Sequence, residues 1–172
     1  MSLSNRVVSA LKEEFQKKAS GESLPATKTN KTVVIEGNDQ TIDYSVSAFG
    51  VDQFSFSFEK IEFAGKPATS QEEPQDFRQK IDQTLDKINY LSEPLALIEL
   101  EGGASTAQVR SASPFEFDDG LEYFELTVQA GVSLSFSRFS KKRNIAPRAP
   151  IPFILTEMIT KRLIDDLAQI LR

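Results

Sequence analysis

The spacing of apolar residues along this chain switches repeatedly between about four and two, and that switching limits the folds open to it. Leu3, Val7, Leu11 and Phe15 recur every fourth residue, as one face of an amphipathic helix requires. Ile42, Tyr44, Val46 and Ala48, then Phe54, Phe56 and Phe58, recur every second residue, as a half-buried strand requires. A second helical stretch opens near Pro74, a residue suited to the first turn, and aligns Phe77, Ile81, Leu85, Ile88 and Leu91. The alternation then returns, with Phe124, Leu126, Val128, Val132, Leu134 and Phe136 opposite Glu125, Thr127, Ser133 and Ser135. Strands with one wet side mark an antiparallel sheet. A third helix is expected to start near Pro152, aligning Leu155, Met158, Ile159, Leu163, Leu167 and Ile170, with Ile154, Ile164 and Leu171 widening its stripe. The expected fold is α+β, antiparallel strands with three amphipathic helices packed against them.

Parity restricts the turns. A three-residue loop at Gln129-Ala130-Gly131 would pair Val128 with Val132, Leu126 with Leu134, Phe124 with Phe136 and Glu122 with Arg138. Asp119-Gly120 is a two-residue hairpin signal that would pair Phe117 with Glu122 and Phe115 with Phe124. Pro114 marks an edge strand or a strand start. The stretch 44–57 overlays 124–137 without gaps, so an α-βββ internal duplication, with halves 1–73 and 74–172, is one reading of the order α-βββ-α-β(β)ββ-α. The polar connections 19–31 and 64–73 are too short to separate independent units, so 1–172 is expected to form a single compact domain.

What the chain lacks narrows its chemistry. It has no His and no Cys, which removes thiol nucleophiles, Ser-His triads and zinc sites of the usual Cys/His kind. No Gly-rich phosphate loop or dinucleotide fingerprint is present. Catalysis would therefore rest on Asp, Glu, Lys, Ser or Tyr. Glu99 and Glu101 share a strand face, Asp165 and Asp166 lie on the polar side of the last helix, and Gly102-Gly103 reads as a loop. None of these has diagnostic spacing, and the acids of the turn "FEFDDGLE" do not match a calcium loop. No catalytic residue, metal ligand or cofactor is assigned. No secretory signal or membrane span is read, and the missing cysteines suit the cytoplasm.

The charge pattern offers one candidate site. From Leu126 through Thr156 there is no acid but five bases, on a chain of net charge −5, so the remainder carries −10. The bases are Arg138, Lys141, Lys142, Arg143 and Arg148, followed or interrupted by Pro147 and Pro150. Such a segment suits an anionic ligand or an acidic protein partner, while the acidic pI of about 4.9 argues against a nucleic-acid binder. The plainer expectation, preferred here, is that the loop neutralises the acidic turn holding Glu116, Asp118, Asp119 and Glu122 at the same sheet rim. For the whole chain, the leading expectation is a non-enzymatic binding or assembly module with a protein partner or a second copy. The alternatives are a carrier of an apolar small molecule or lipid between the sheet and the C-terminal helix, and a carboxylate-dependent enzyme.

Overall fold

The computed structural model describes residues 1–19, 32–52, 54–66, 74–101, 106–145 and 147–172. In chain order the elements are α1 (Leu3–Ala19), β1 (Val33–Asn38), β2 (Ile42–Val51), β3 (Ser55–Gly65), α2 (Pro74–Lys87), β4 (Leu95–Glu101), β5 (Thr106–Ser111), β6 (Phe115–Phe117), β7 (Gly120–Gln129), β8 (Ser133–Lys142), β9 (Ala149–Ile151), β10 (Phe153–Thr156) and α3 (Glu157–Ile170). The strands form one ten-stranded antiparallel sheet with the path β1-β2-β3-β8-β7-β5-β4. This is the α+β architecture that the alternating periods predict. No described helix is long and apolar enough to cross a membrane.

Among the described residues, all three helices lie on one face. α1 packs on β1 and β2, α2 on β4, and α3 on β3 and β10, while α3 also touches both other helices. The periods explain this arrangement. Leu3, Val7 and Leu11 of α1, Phe77 and Ile81 of α2, and Leu163, Ile164 and Leu167 of α3 join Val46, Phe56, Phe58, Ile61, Leu126 and Phe136 of the sheet in one buried cluster. The alternate sheet residues, among them Ser45, Ser47, Lys60, Thr127 and Ser135, face away from it. Ser4 clamps α1 to α3, its backbone N–H and hydroxyl donating to the Asp165 carboxylate at 3.2 and 2.7 Å.

β3 and β8 pair only over 60–64 and 133–137 and then part. β2 occupies the other edge of β3 and β7 the other edge of β8, so the gap between them is filled from within the chain. β9 enters it antiparallel to β8, the chain reverses at Pro152, and β10 leaves antiparallel to β3. The third helix therefore starts at Glu157, not near Pro152. Thr156 stops the strand and caps the helix, its hydroxyl accepting from the Ile159 N–H at 3.3 Å.

Several finer expectations are corrected. Phe54 precedes β3 in an Asx turn on Asp52 and is 71% exposed, whereas Phe56 and Phe58 are buried. Ile154 and Met158 are exposed and do not widen the α3 stripe. Ile88 and Leu91 lie past the end of α2, although Ile88 is buried. The β7–β8 turn is Ala130-Gly131-Val132, with Gly131 at φ +64°, and the register shifts by two so that Val128 faces Leu134 and Phe124 faces Arg138. The β6–β7 turn is Asp118-Asp119, pairing Phe117 with Gly120 and Phe115 with Glu122. Gly120 is used for contact: a Cβ there would strike the Lys141 carbonyl and the Phe117 ring. Both shifts are even, so the paired strand residues keep the face their alternation assigns, but Val132, expected on the apolar face beside Leu134, falls in the turn and is exposed.

Candidate functional site

On the helix-free face the strand registers bring together residues that lie far apart in sequence. Arg110 of β5 stands opposite Glu125 of β7, and Tyr123 of β7 stands opposite Phe139 of β8. Arg148, just before β9, lies with its guanidinium 4.0 Å from the Phe139 ring centroid and reaches Glu125 on the next strand. It grips the carboxylate with both terminal nitrogens, Nη2 donating to Oε1 at 2.7 Å and Nη1 to Oε2. Nη1 also donates to the Tyr123 hydroxyl at 3.1 Å. From the other side Arg110 Nε donates to Oε2 at 2.7 Å. The Glu125 side chain is 6% exposed, against 36% for Arg110 and 32% for Arg148.

Burial pushes the Glu125 carboxyl up, but hydrogen bonds and charge from Arg148 and then Arg110 outweigh it and hold the group below its usual range. Arg148 is raised, first by its bond to Glu125, against the opposing effect of burial. Near neutral pH Glu125 is thus an ionised anchor rather than a proton acceptor. Its role is to fix two guanidiniums.

Beside this clamp runs an open groove of about 450 Å³. Leu121 and Tyr123 belong to its β7 lining, with Ile98 and Pro114 on the β4–β6 side and Pro147, Arg148 and Lys141 on the β8–β9 side. The face also carries a wider hollow of about 750 Å³, from β1 to β5, whose polar lining includes Glu36, Asp43, Ser45, Glu62, Thr127 and Ser135. That hollow is larger, but the two arginines that grip buried Glu125 line the smaller groove, which makes that groove the candidate site.

The basic residues of the sequence reading divide between places. Arg148 and Lys141 enter the groove. Lys142 approaches Asp119 at 3.9 Å, the one ion pair that the stretch 141–143 makes with the acidic turn among the described residues, and the Arg143 backbone N–H donates to the Asp119 backbone carbonyl at 2.7 Å. Among the described residues, the side chains of Lys141 and Arg143 meet no hydrogen-bonding or ion-pair partner. Arg138 points to the opposite face, 2.7 Å from Glu93 and 3.5 Å from Glu122, with its guanidinium 4.6 Å from the Phe124 ring centroid. Arg110, Tyr123 and Glu125 escaped the sequence reading. Each alternates on the polar side of a strand, and only the register shows an Arg facing a Glu.

A second polar cluster lies on the helix side. The Tyr90 hydroxyl donates to Asp166 at 2.8 Å under the Arg162 guanidinium, and its pKa is raised by burial and then by Asp166. It ties the segment after α2 to α3. Among the described residues no group of three or more acids could hold a metal ion. No protein-family model, curated protein or solved structure matches the chain.

Proposed function

We propose that this protein is a non-enzymatic binding or assembly module that meets an acidic partner with the helix-free face of its sheet. One observation carries the reading: on a face without helices, buried Glu125 holds Arg110 and Arg148 in fixed positions beside Lys141. Arg110, immobilised in advance through its Nε, loses little further entropy when an anion meets its terminal nitrogens. The surrounding chain is acidic, so an acidic partner is repelled elsewhere and directed to this corner. The cysteine-free composition suits the cytoplasm. The carrier reading places a ligand between sheet and α3, where Phe56, Phe58, Phe153, Leu163 and Leu167 are buried in one core cluster. It has no comparable support, and neither does the enzyme reading, since the buried carboxylate beside the groove, Glu125, is committed to two arginines.

Fluorescence anisotropy with a labelled short polyglutamate tests the proposal. Binding is expected to weaken steeply between about 50 and 200 mM salt. Replacing Lys141, Lys142 and Arg143 together by Ser is expected to flatten that dependence. Failure to bind at the lower salt, or an unchanged slope in the triple variant, would overturn it.

A further inference from the structure

The groove beside the clamp has a chemistry more specific than a basic patch. Arg148 commits both terminal nitrogens to Glu125, so it is structure rather than a free hand. Arg110 commits Nε. Among the described residues its two terminal nitrogens, like the Lys141 ammonium, have no partner. These free donors border the same groove from opposite sides of β7. The rest of the lining includes Ile98, Pro114, Leu121 and Pro147, with the Tyr123 ring between the cations. Ile98 is 55% exposed, an apolar side chain left in water on the same groove.

A few polar groups with free donors flanking a groove of this size with a largely apolar lining is the pattern of small-molecule sites. The free polar groups here are donors and cationic, so their ligand brings acceptors and negative charge. We infer that the groove binds a small organic carboxylate with an apolar body, its carboxylate between Arg110 and Lys141 and its body along Ile98, Leu121 and Pro147. A planar carboxylate matches the paired terminal nitrogens of a guanidinium, a fit that a lone ammonium lacks. The inference rests on the same face as the proposed partner recognition but needs no macromolecule, so either can fail alone.

The test is NMR titration of the full chain, following arginine Nε–H and backbone signals, with sodium octanoate, sodium acetate and 1-octanol as probes. Octanoate is expected to shift the Arg110 and Leu121–Tyr123 signals saturably. Its affinity should exceed those of acetate, which lacks the body, and octanol, which lacks the charge, by about tenfold, the effect of one charge-assisted bond. Lys141→Gln and Ile98→Ser change exposed side chains and leave the clamp intact. Each is expected to weaken octanoate binding by about fivefold to tenfold while the spectrum stays that of the folded protein. Equal affinities for octanoate and octanol, shifts confined to another part of the molecule, or indifference to both substitutions would overturn the inference. A peptide ending in Leu-Phe with a free carboxylate provides the remaining arm. If it binds this groove more tightly than octanoate, and its amidated form does not, the small-molecule assignment is wrong and the ligand is a chain terminus.

Discussion

Arg148 crosses the Phe139 ring to reach a carboxylate on the next strand, and the stability of the open face depends on that contact. Arg148→Ala would leave Glu125 buried with Arg110 as its one remaining cation. Breaking a wholly buried pair costs about 3–5 kcal/mol, and with Arg110 in place about 2 kcal/mol is expected from urea denaturation at neutral pH. The pH dependence follows from the lowered Glu125 pKa. Its charge stabilises the fold fully above the unfolded value near 4.5, and that contribution disappears as pH falls through the lower folded value. The deficit of Arg148→Ala should therefore shrink in acid, and a deficit independent of pH would show that only packing had been lost. Packing itself is tested at the phenylalanines. Phe56→Ala should cost about 3–5 kcal/mol, since its side chain is buried 5.9 Å from the Phe58 centroid. Phe54→Ala should cost under about 0.5 kcal/mol, because Phe54 is exposed. Alternation gave Phe54 the same face as Phe56, but the strand starts after it, and periodicity cannot mark where a strand starts. Glu125 was illegible for a related reason. A buried acid on the polar side of a strand looks like any solvated one until its cross-strand neighbours are known.

At the scale of elements, long periodic segments were legible and short ones were not. α1, α2, β2, β3, β7 and β8 each carry at least ten residues, enough repeats for one period to prevail. β9 and β10 have three and four residues, and their apolar positions merge with the stripe of α3. What separates strand from helix there is local: Pro152 lies at the reversal and Thr156 at the cap. The cap is testable. Thr156→Ala removes the acceptor for the Ile159 N–H and should cost about 1 kcal/mol in denaturation, while Thr156→Ser should recover most of it. Equal losses for both would mean that the methyl group, not the cap bond, is the contribution. The two hairpin registers show the same limit. Parity fixed which face each residue takes, but a shift by two satisfies parity equally well. The choice fell to backbone details, the positive φ of Gly131 and the close approach at Gly120.

For the whole molecule, two meanders, β1-β2-β3 and β4-β5-β7-β8, each preceded by a helix, meet where β3 pairs with β8. The ungapped overlay of 44–57 on 124–137 sets the first turn two residues past the second, so any correspondence between the halves needs an offset. The register shifts of β2–β3 between Ser47 and Gly50 lie where one would fall. With every helix on one face, the charge asymmetry of the sequence becomes an asymmetry of surfaces. The basic segment runs along β8 and β9, puts Arg138 among the acids on the helix side, and leaves Lys141 and Arg148 on the open side. The sequence showed that a basic segment exists, but the assignment of each base to a face depends on the register. Replacing Lys141, Lys142 and Arg143 by Ser separates structural from recognition roles for the segment. All three are exposed, and the one side-chain ion pair among them, Lys142 with Asp119 at 3.9 Å, joins two exposed groups, so denaturation should show a change under about 1 kcal/mol. The net charge instead becomes more negative by three, and the cations around the groove are reduced to Arg110 and the committed Arg148. Polyglutamate affinity should then drop while the fold persists. A large stability loss with affinity retained would show that the segment holds the rim together and that the acidic partner is met elsewhere.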